Sequence, residues 1–393
     1  MEEDTLIIEE LDKADQLAND GLLTEAEEIY ARCISSGESL RAFTSYGLFL
    51  ARVGRLSLAE SMHREVIEVA ESRGDVGWVA AGYANLGNVY ETRGDLDLAE
   101  EVQRKSLELD ESLGDNAGMA ASYGNLGNIY LARGDLDRAE EMQQKSLQLE
   151  EQLGDTAGFA ASYGILGNVY EIRGDLDRAE EMQQKSLELN ERLGITEGMA
   201  ASYGNLGNIY QTRRDLDRAE EMQQKSLELE EQLGSIKGMA ITYGNLGNIY
   251  HDRGDLDRAE EMQQKSLELN ERLGRIEGMA ITYGNLGLIY HDRGDSDRAE
   301  EMQQKSLQLN ERLGHIEGMA ASYRKLGDVY ETRGDLDRAE EMLQKSLELN
   351  ERLGRTESMA ASYSNLANIY ETRGDTGRAE EMRRKALELE EQS

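Results

Sequence analysis

The chain has 393 residues, with 79 acidic against 43 basic side chains and a net charge of −36. Nucleic acids and anionic membranes are held through clustered Lys and Arg, so neither is an expected partner, whereas a neutral or basic protein or peptide is. The single cysteine, Cys33, excludes an intrachain disulfide and a thiolate metal cluster, while the absence of proline beside 40 glycines argues against disordered linkers and all-β folds.

The chain opens with MEEDTLIIEELDK, acidic and with only a short apolar run, so it does not read as a secretion signal. No stretch approaches the ~20 apolar residues of a membrane span, and a cytoplasmic location is the expectation. Two diverged units come next, LTEAEEIYARC around Ala26 and LSLAESMHREVI around Ala59, assigned to 5–38 and 39–75. Thereafter the alanine of DLAEE or DRAEE recurs at Ala99, Ala139, Ala179, Ala219, Ala259, Ala299, Ala339 and Ala379, always 40 apart. The corresponding repeats are 76–115, 116–155, 156–195, 196–235, 236–275, 276–315, 316–355 and 356–393, and all ten units are read as one domain over 1–393.

Each forty-residue unit splits into two helices. In the unit 116–155, Met119, Tyr123, Leu126, Ile129 and Tyr130 recur at three- and four-residue steps, the apolar stripe of a first helix. Gly134 is expected to end it in the left-handed conformation, with Asp135 or Asp137 capping the second helix. The second helix should turn Leu136, Ala139, Met142, Leu147 and Leu153 inward and end at Gly154. Gly127, Ala139 and Ser146 are small where helices must approach closely. One hairpin cannot bury both its faces, so neighbours must stack.

Leu126-Gly127, then Tyr130, then Ala139 nine residues later is a spacing that resembles the tetratricopeptide repeat. The forty-residue period and the Leu-Gly-Asn triplet of "YGNLGNIY" further resemble the Leu-Gly-Asn-rich adaptors of the Pins type and their bacterial relatives, over nearly the whole chain. The resemblance implies an all-α fold, an α-solenoid in which about ten helix-turn-helix hairpins form a right-handed superhelix. Three departures stand out. Tyr replaces the usual first-helix aromatic, Gln143 and its equivalents replace the second-helix aromatic, and the closing proline is missing. The G-protein-binding motifs that follow the repeats in Pins-type adaptors are not found, so that activity is not expected.

The resemblance also implies that first helices line a concave groove, with the asparagines of the repeated phrase pointing toward a bound peptide. These are Asn85, Asn88, Asn125, Asn128, Asn168, Asn205, Asn208, Asn245, Asn248, Asn285, Asn365 and Asn368. An asparagine offers an acceptor and two donors, enough to pair with an extended backbone without reading its side chains. Gly124, Gly204 and Gly244 would leave room for that backbone. The alternative is that the asparagines only bond neighbouring repeats. In 316–355 the phrase breaks: Arg324 replaces the glycine and Lys325 and Asp328 the asparagines, one unit after Leu288 has replaced another asparagine. Arg324 and Lys325 are therefore expected to meet a carboxylate or the C-terminus of the partner, with unselected drift as the alternative.

Other motifs read as structural. The tyrosines fall at repeat positions and are assigned to the core. The recurring Arg-Gly-Asp tripeptide lies in the turn between helices, where Gly gives the turn and Asp the cap. His251-Asp252 and His291-Asp292 fall at equivalent positions, but nothing else marks a metal site, and none is assigned. Arg214 stands where other units place the turn glycine and should be forced into the left-handed conformation. No catalytic residues and no cofactor are expected. The sequence supports a non-enzymatic protein–protein interaction scaffold or adaptor that binds an extended peptide segment. A regulatory or sensor array controlling a separate protease or signalling ATPase is the alternative, as is a self-assembling solenoid built by end-to-end association.

Overall fold

The computed structural model describes residues 2–19, 22–35 and 39–391, and all its regular structure there is α-helical. In chain order the helices are α1 (Glu2–Asn19), α2 (Leu23–Ser35), α3 (Leu40–Arg52), α4 (Leu56–Arg73), α5 (Val76–Arg93), α6 (Leu96–Leu113), α7 (Asn116–Ala132), α8 (Leu136–Leu153), α9 (Thr156–Ile172) and α10 (Leu176–Leu193). They continue with α11 (Thr196–Thr212), α12 (Leu216–Leu233), α13 (Ile236–Asp252), α14 (Leu256–Leu273), α15 (Ile276–Asp292), α16 (Ser296–Leu313), α17 (Ile316–Thr332), α18 (Leu336–Leu353), α19 (Thr356–Thr372) and α20 (Thr376–Glu390). Odd and even helices pair as antiparallel hairpins, and the chain divides into two compact units, 1–198 and 199–393.

Local chemistry sets the helix ends. Gly134 closes the turn between α7 and α8 at φ 75° and Gly154 ends α8 at φ 69°, a backbone region that costs L side chains. Asp135 caps α8, its carboxylate accepting the Arg138 amide at 3.1 Å. Asp137 is not the cap; its carboxylate instead receives the Arg173 guanidinium of the next hairpin. The expected left-handed Arg214 is present at φ 62°, alone among the described non-glycine residues.

The core of each unit runs from hairpin to hairpin. Leu126, Tyr130 and Ala139 pack with Val169 of the following hairpin and Leu107 of the preceding one. In the second unit Leu246, Tyr250 and Ala259 pack with Ile289 and Leu227 in the same way. Ser146 ties the pair together by donating its hydroxyl to the Ala120 carbonyl at 2.8 Å, as Ser266 does to Ala240 at 2.8 Å. One inward assignment fails: Leu153 is 45 % exposed, and Leu193, Leu273 and Leu313 behave alike. They sit on the last turn of their helices, beyond the reach of the packed hairpin.

The arginine of each Arg-Gly-Asp turn is also structural. Arg253 pairs with Glu220 of the preceding hairpin and with Asp217 at 2.6 Å, while the Tyr250 hydroxyl donates to Glu220 at 2.7 Å. Arg258 then covers the Tyr250 ring at 4.3 Å. The same network joins Arg173, Glu140, Asp137 and Tyr170 in the first unit. Burial alone would raise the Glu140 carboxyl, but Tyr170 and Arg173 outweigh it and hold it below the usual range.

Candidate peptide-binding face

First helices of consecutive hairpins lie against one another, α5 on α7 on α9 in the first unit and α13 on α15 on α17 on α19 in the second. Among the described helices no two second helices touch in this way, so within each unit the first helices form the more closely spaced side. On α7 Ala121 and Ala132 are exposed and Asn125 and Asn128, like Tyr123, Gly124 and Leu131, half-buried, while Ser122, Leu126, Gly127, Ile129 and Tyr130 are buried. Steps of four, three and four place Ala121, Asn125, Asn128 and Ala132 on one helix face.

The two asparagines of the phrase differ in what they do. The side-chain amides of Asn85, Asn125, Asn245 and Asn285, half-buried on this face, make no hydrogen bond to any described residue. The second asparagines are engaged inside their own hairpin: Asn88, Asn168, Asn208 and Asn248 accept from Gln103, Gln183, Gln223 and Gln263 at 3.2, 2.9, 2.9 and 2.9 Å. Asn128 has no such bond, its neighbour Gln143 donating only to the Gly124 carbonyl at 2.9 Å. Asn365 donates to Asp328 at 2.6 Å, and Asn368 is exposed at the end of its face. Asn205 lies half-buried at the register of Asn125.

The two glycines of the phrase also separate. A Cβ on Gly127 would stand 2.2 Å from Gln143 Nε2, and one on Gly247 2.7 Å from Gln263 Nε2. This glycine is demanded by the buried glutamine. On Gly124 and Gly244 a Cβ would meet only a serine hydroxyl, at 3.7 and 3.5 Å, which is ordinary contact. The fold does not require glycine there. The glutamine is the residue whose role the sequence did not reveal. It looks like a missing aromatic, but it is wholly buried and ties the two helices together through a backbone carbonyl.

In 316–355 the substitutions are connected. Leu343 takes the place of the glutamine, removing the donor that a second asparagine would use. Asp328 accepts instead from Arg324 at 3.3 Å and from Asn365. Burial raises the Asp328 carboxyl, against the pull of Arg324. Lys325 reaches back over the preceding hairpin, where a Cβ on Gly284 would meet its Nζ at 3.5 Å. It makes no ion pair among the described residues, and burial, aided by the Arg324 charge, pushes its ammonium down to about 8.

At the ends of the same helices, side chains bond from one hairpin to the next. Gln211 donates to Asp252 at 2.8 Å, His251 Nε2 meets Asp292 at 2.8 Å, and His291 Nε2 meets the Thr332 hydroxyl at 3.0 Å. His291 Nδ1 also lies 3.2 Å from Asp292. No group of His, Cys, Asp and Glu among the described residues is arranged to hold a metal ion. No helix among them is long and apolar enough to cross a membrane.

Stacked hairpins with buried Leu-Gly, Tyr and Ala at fixed registers define a helical-repeat protein. The family model for the tetratricopeptide repeat matches residues 38–112, 78–152, 118–192, 158–232, 238–312 and 318–392, and the chain belongs to that family. No curated protein sequence matches it. The apo form of the quorum sensor NprR from B. thuringiensis is similar in structure, with TM-score 0.67 and 14 % identity over 89 % of this chain and 97 % of that one. A signal transduction ATPase with a tetratricopeptide repeat sensor, PH0952 from Pyrococcus horikoshii, aligns with TM-score 0.61 and 16 % identity, covering 92 % of this chain and 52 % of that one. Apo RapI aligns with TM-score 0.57 and 14 % identity over 69 % of this chain and 97 % of that one.

Proposed function

We propose that the protein is a non-catalytic interaction scaffold whose first-helix face holds an extended peptide segment of a partner protein. The observation that carries this reading is the amides of Asn85 and Asn125 in the first unit and of Asn245 and Asn285 in the second, which the fold leaves without hydrogen bonds. Asparagine costs a helix interior roughly 0.5–0.7 kcal/mol relative to alanine. A side chain that is costly to the helix and idle in the fold is explained by a ligand whose backbone donors and acceptors it meets. The dispensable glycines Gly124 and Gly244 beside these asparagines keep the approach open. Arg324, Lys325, Asn365 and Asn368 extend the same face along α17 and α19. The surplus of acidic side chains favours a segment of neutral or basic overall character.

Asn245→Ala with Asn285→Ala tests the reading. The variant should keep or gain helicity and lose about tenfold in affinity for the partner segment. Loss of the fold with retained affinity in the surviving folded fraction would assign these asparagines to stacking. The second reading is a sensor array serving a separate effector; NprR and PH0952 are described as a quorum sensor and as carrying a repeat sensor, though the likeness to them is one of fold. An effector that stays bound while a competing peptide saturates the first-helix face would favour it.

A further inference from the structure

Within each unit the first-helix face carries amides over open glycines, broken on α9 by Ile165, and such a ladder selects an extended backbone without selecting side chains. Across α13, α15 and α17 it changes character. Ile241 and Ile281, at the register where Ala121, Ala161, Ala201, Ala321 and Ala361 stand in other hairpins, are 46 % and 60 % exposed. Leu288 replaces the second asparagine one turn beyond Gly284, on the same face and half-buried. Three aliphatic side chains thus occupy two adjacent first helices, and nothing in the fold covers Ile281.

Next to them stands a cation that makes no ion pair among the described residues, the Asp328 carboxylate acting on it only at a distance. Both oxygens of Asp328 are engaged, by Arg324 and by Asn365, so the carboxylate nearest in sequence is not turned to Lys325. The Lys325 ammonium lies over Gly284, in the hairpin that carries Ile281, Asn285 and Leu288. A half-buried ammonium with no directly paired carboxylate gains from an anion delivered by a ligand. Of the changes in this hairpin, Arg324 and Asp328 pair with each other.

We infer that this stretch is the specificity-determining part of the face, and that it takes a segment carrying an acidic side chain beside aliphatic ones. The acid pairs with Lys325 and the aliphatic side chains pack on Ile241, Ile281 and Leu288. The carboxylate is a side chain of Asp or Glu and not a chain terminus, because asparagines continue the face on both sides of Lys325, at Asn245 and Asn285 before it and Asn365 and Asn368 after it. A segment lying on all of them must run past the lysine. In a protein with net charge −36, which repels acidic peptides at large, one placed cation restricts the acid to one position along the segment.

The inference rests on the peptide-binding reading, and one experiment separates the two. Short random peptides, displayed with both ends joined to a carrier so that no free terminus is offered, are selected on the full chain, on Lys325→Asn and on Ile281→Ala. Asn and Ala occupy these registers in sibling hairpins, so both variants keep the fold, which circular dichroism verifies. The full chain should enrich Asp or Glu adjacent to Ile, Leu or Val. Lys325→Asn should lower affinity for those peptides about tenfold and abolish the acid preference while keeping the aliphatic one. Ile281→Ala should do the converse. Enriched peptides without an acid, or an acid preference unchanged in Lys325→Asn, overturn the inference and leave the peptide-binding face standing. Enrichment on none of the three proteins contradicts the face itself, and the inference with it.

Discussion

Gln263 divides its amide between two acceptors in the facing helix, the Asn248 side chain and the Gly244 carbonyl, each at 2.9 Å. Gly247 lies directly over that amide. The helix pair is therefore set by a polar peg in a glycine socket, where a typical tetratricopeptide hairpin is expected to use an aromatic. Gly247→Ala should destabilise by about 1–3 kcal/mol, because the new Cβ has no room beside Gln263. Adding Gln263→Ala should recover part of that loss, a coupling that a double-mutant cycle in chemical denaturation measures. Strict additivity would show that the two residues do not meet.

Arg214 holds a left-handed conformation at φ 62°, which costs an L residue about 1–2 kcal/mol. Its pairing with Asp252 at 3.2 Å is exposed and returns little. Arg214→Gly should stabilise the protein by about 1 kcal/mol in a denaturant midpoint measured at fixed slope. Unchanged or lower stability would mean that the arginine is not strained there.

His63 occupies the glutamine register in the second hairpin, wholly buried and with both ring nitrogens lacking a partner. Burial pushes its imidazolium down to about 4 from 6.5. A folded-state value below the unfolded one means that the unfolded chain binds the extra proton, so stability falls as pH drops from about 6.5 toward 4. By pH 5 the loss from this group is about 2 kcal/mol. His63→Gln, the residue of the sibling hairpins, should remove that part of the acid sensitivity. Parallel stability–pH curves for the two proteins would contradict the assignment.

Glu150 shows the opposite sign. It is 5 % exposed, its Oε2 has no partner, and burial raises its carboxyl, with Asp155 adding to the shift. The folded state prefers the protonated acid, so stability rises as pH falls through the raised value and the penalty is present above it. The same register carries Asn190, Asn270, Asn310 and Asn350, whose amides donate to serine carbonyls. Glu150→Asn should stabilise at pH 8 by about 1 kcal/mol or more and flatten the pH dependence. A loss of stability at that pH would refute the buried-charge account.

What could be read from the sequence was local. The Gly-Asp punctuation fixes helix ends through backbone conformation and capping, which depend on a few adjacent residues, and the left-handed Arg214 followed from the same logic. Leu153 was misassigned because an apolar pattern does not say where the neighbouring helix stops. Contacts across the hairpin were harder. Gln143 and Gly124 are 19 residues apart, so neither the peg nor its demand for Gly127 has a local signature. For the same reason the two asparagines of one phrase look alike in sequence, although one is bonded within the hairpin and the other is idle. Lys325 needed the preceding hairpin, since only packing of α17 beside α15 carries its ammonium over Gly284.

The central claim is that the ligand lies on the first helices, and photo-crosslinking tests it most directly. A benzophenone side chain is placed at Ala321, exposed on the first-helix face of α17, and in a second protein at Gln308, exposed on the second helix α16. With a saturating peptide taken from the selection above, the account predicts crosslinks from position 321 that unlabelled peptide suppresses, and none from position 308. Crosslinks from position 308 alone would place the ligand on the other side of the hairpin and contradict the account.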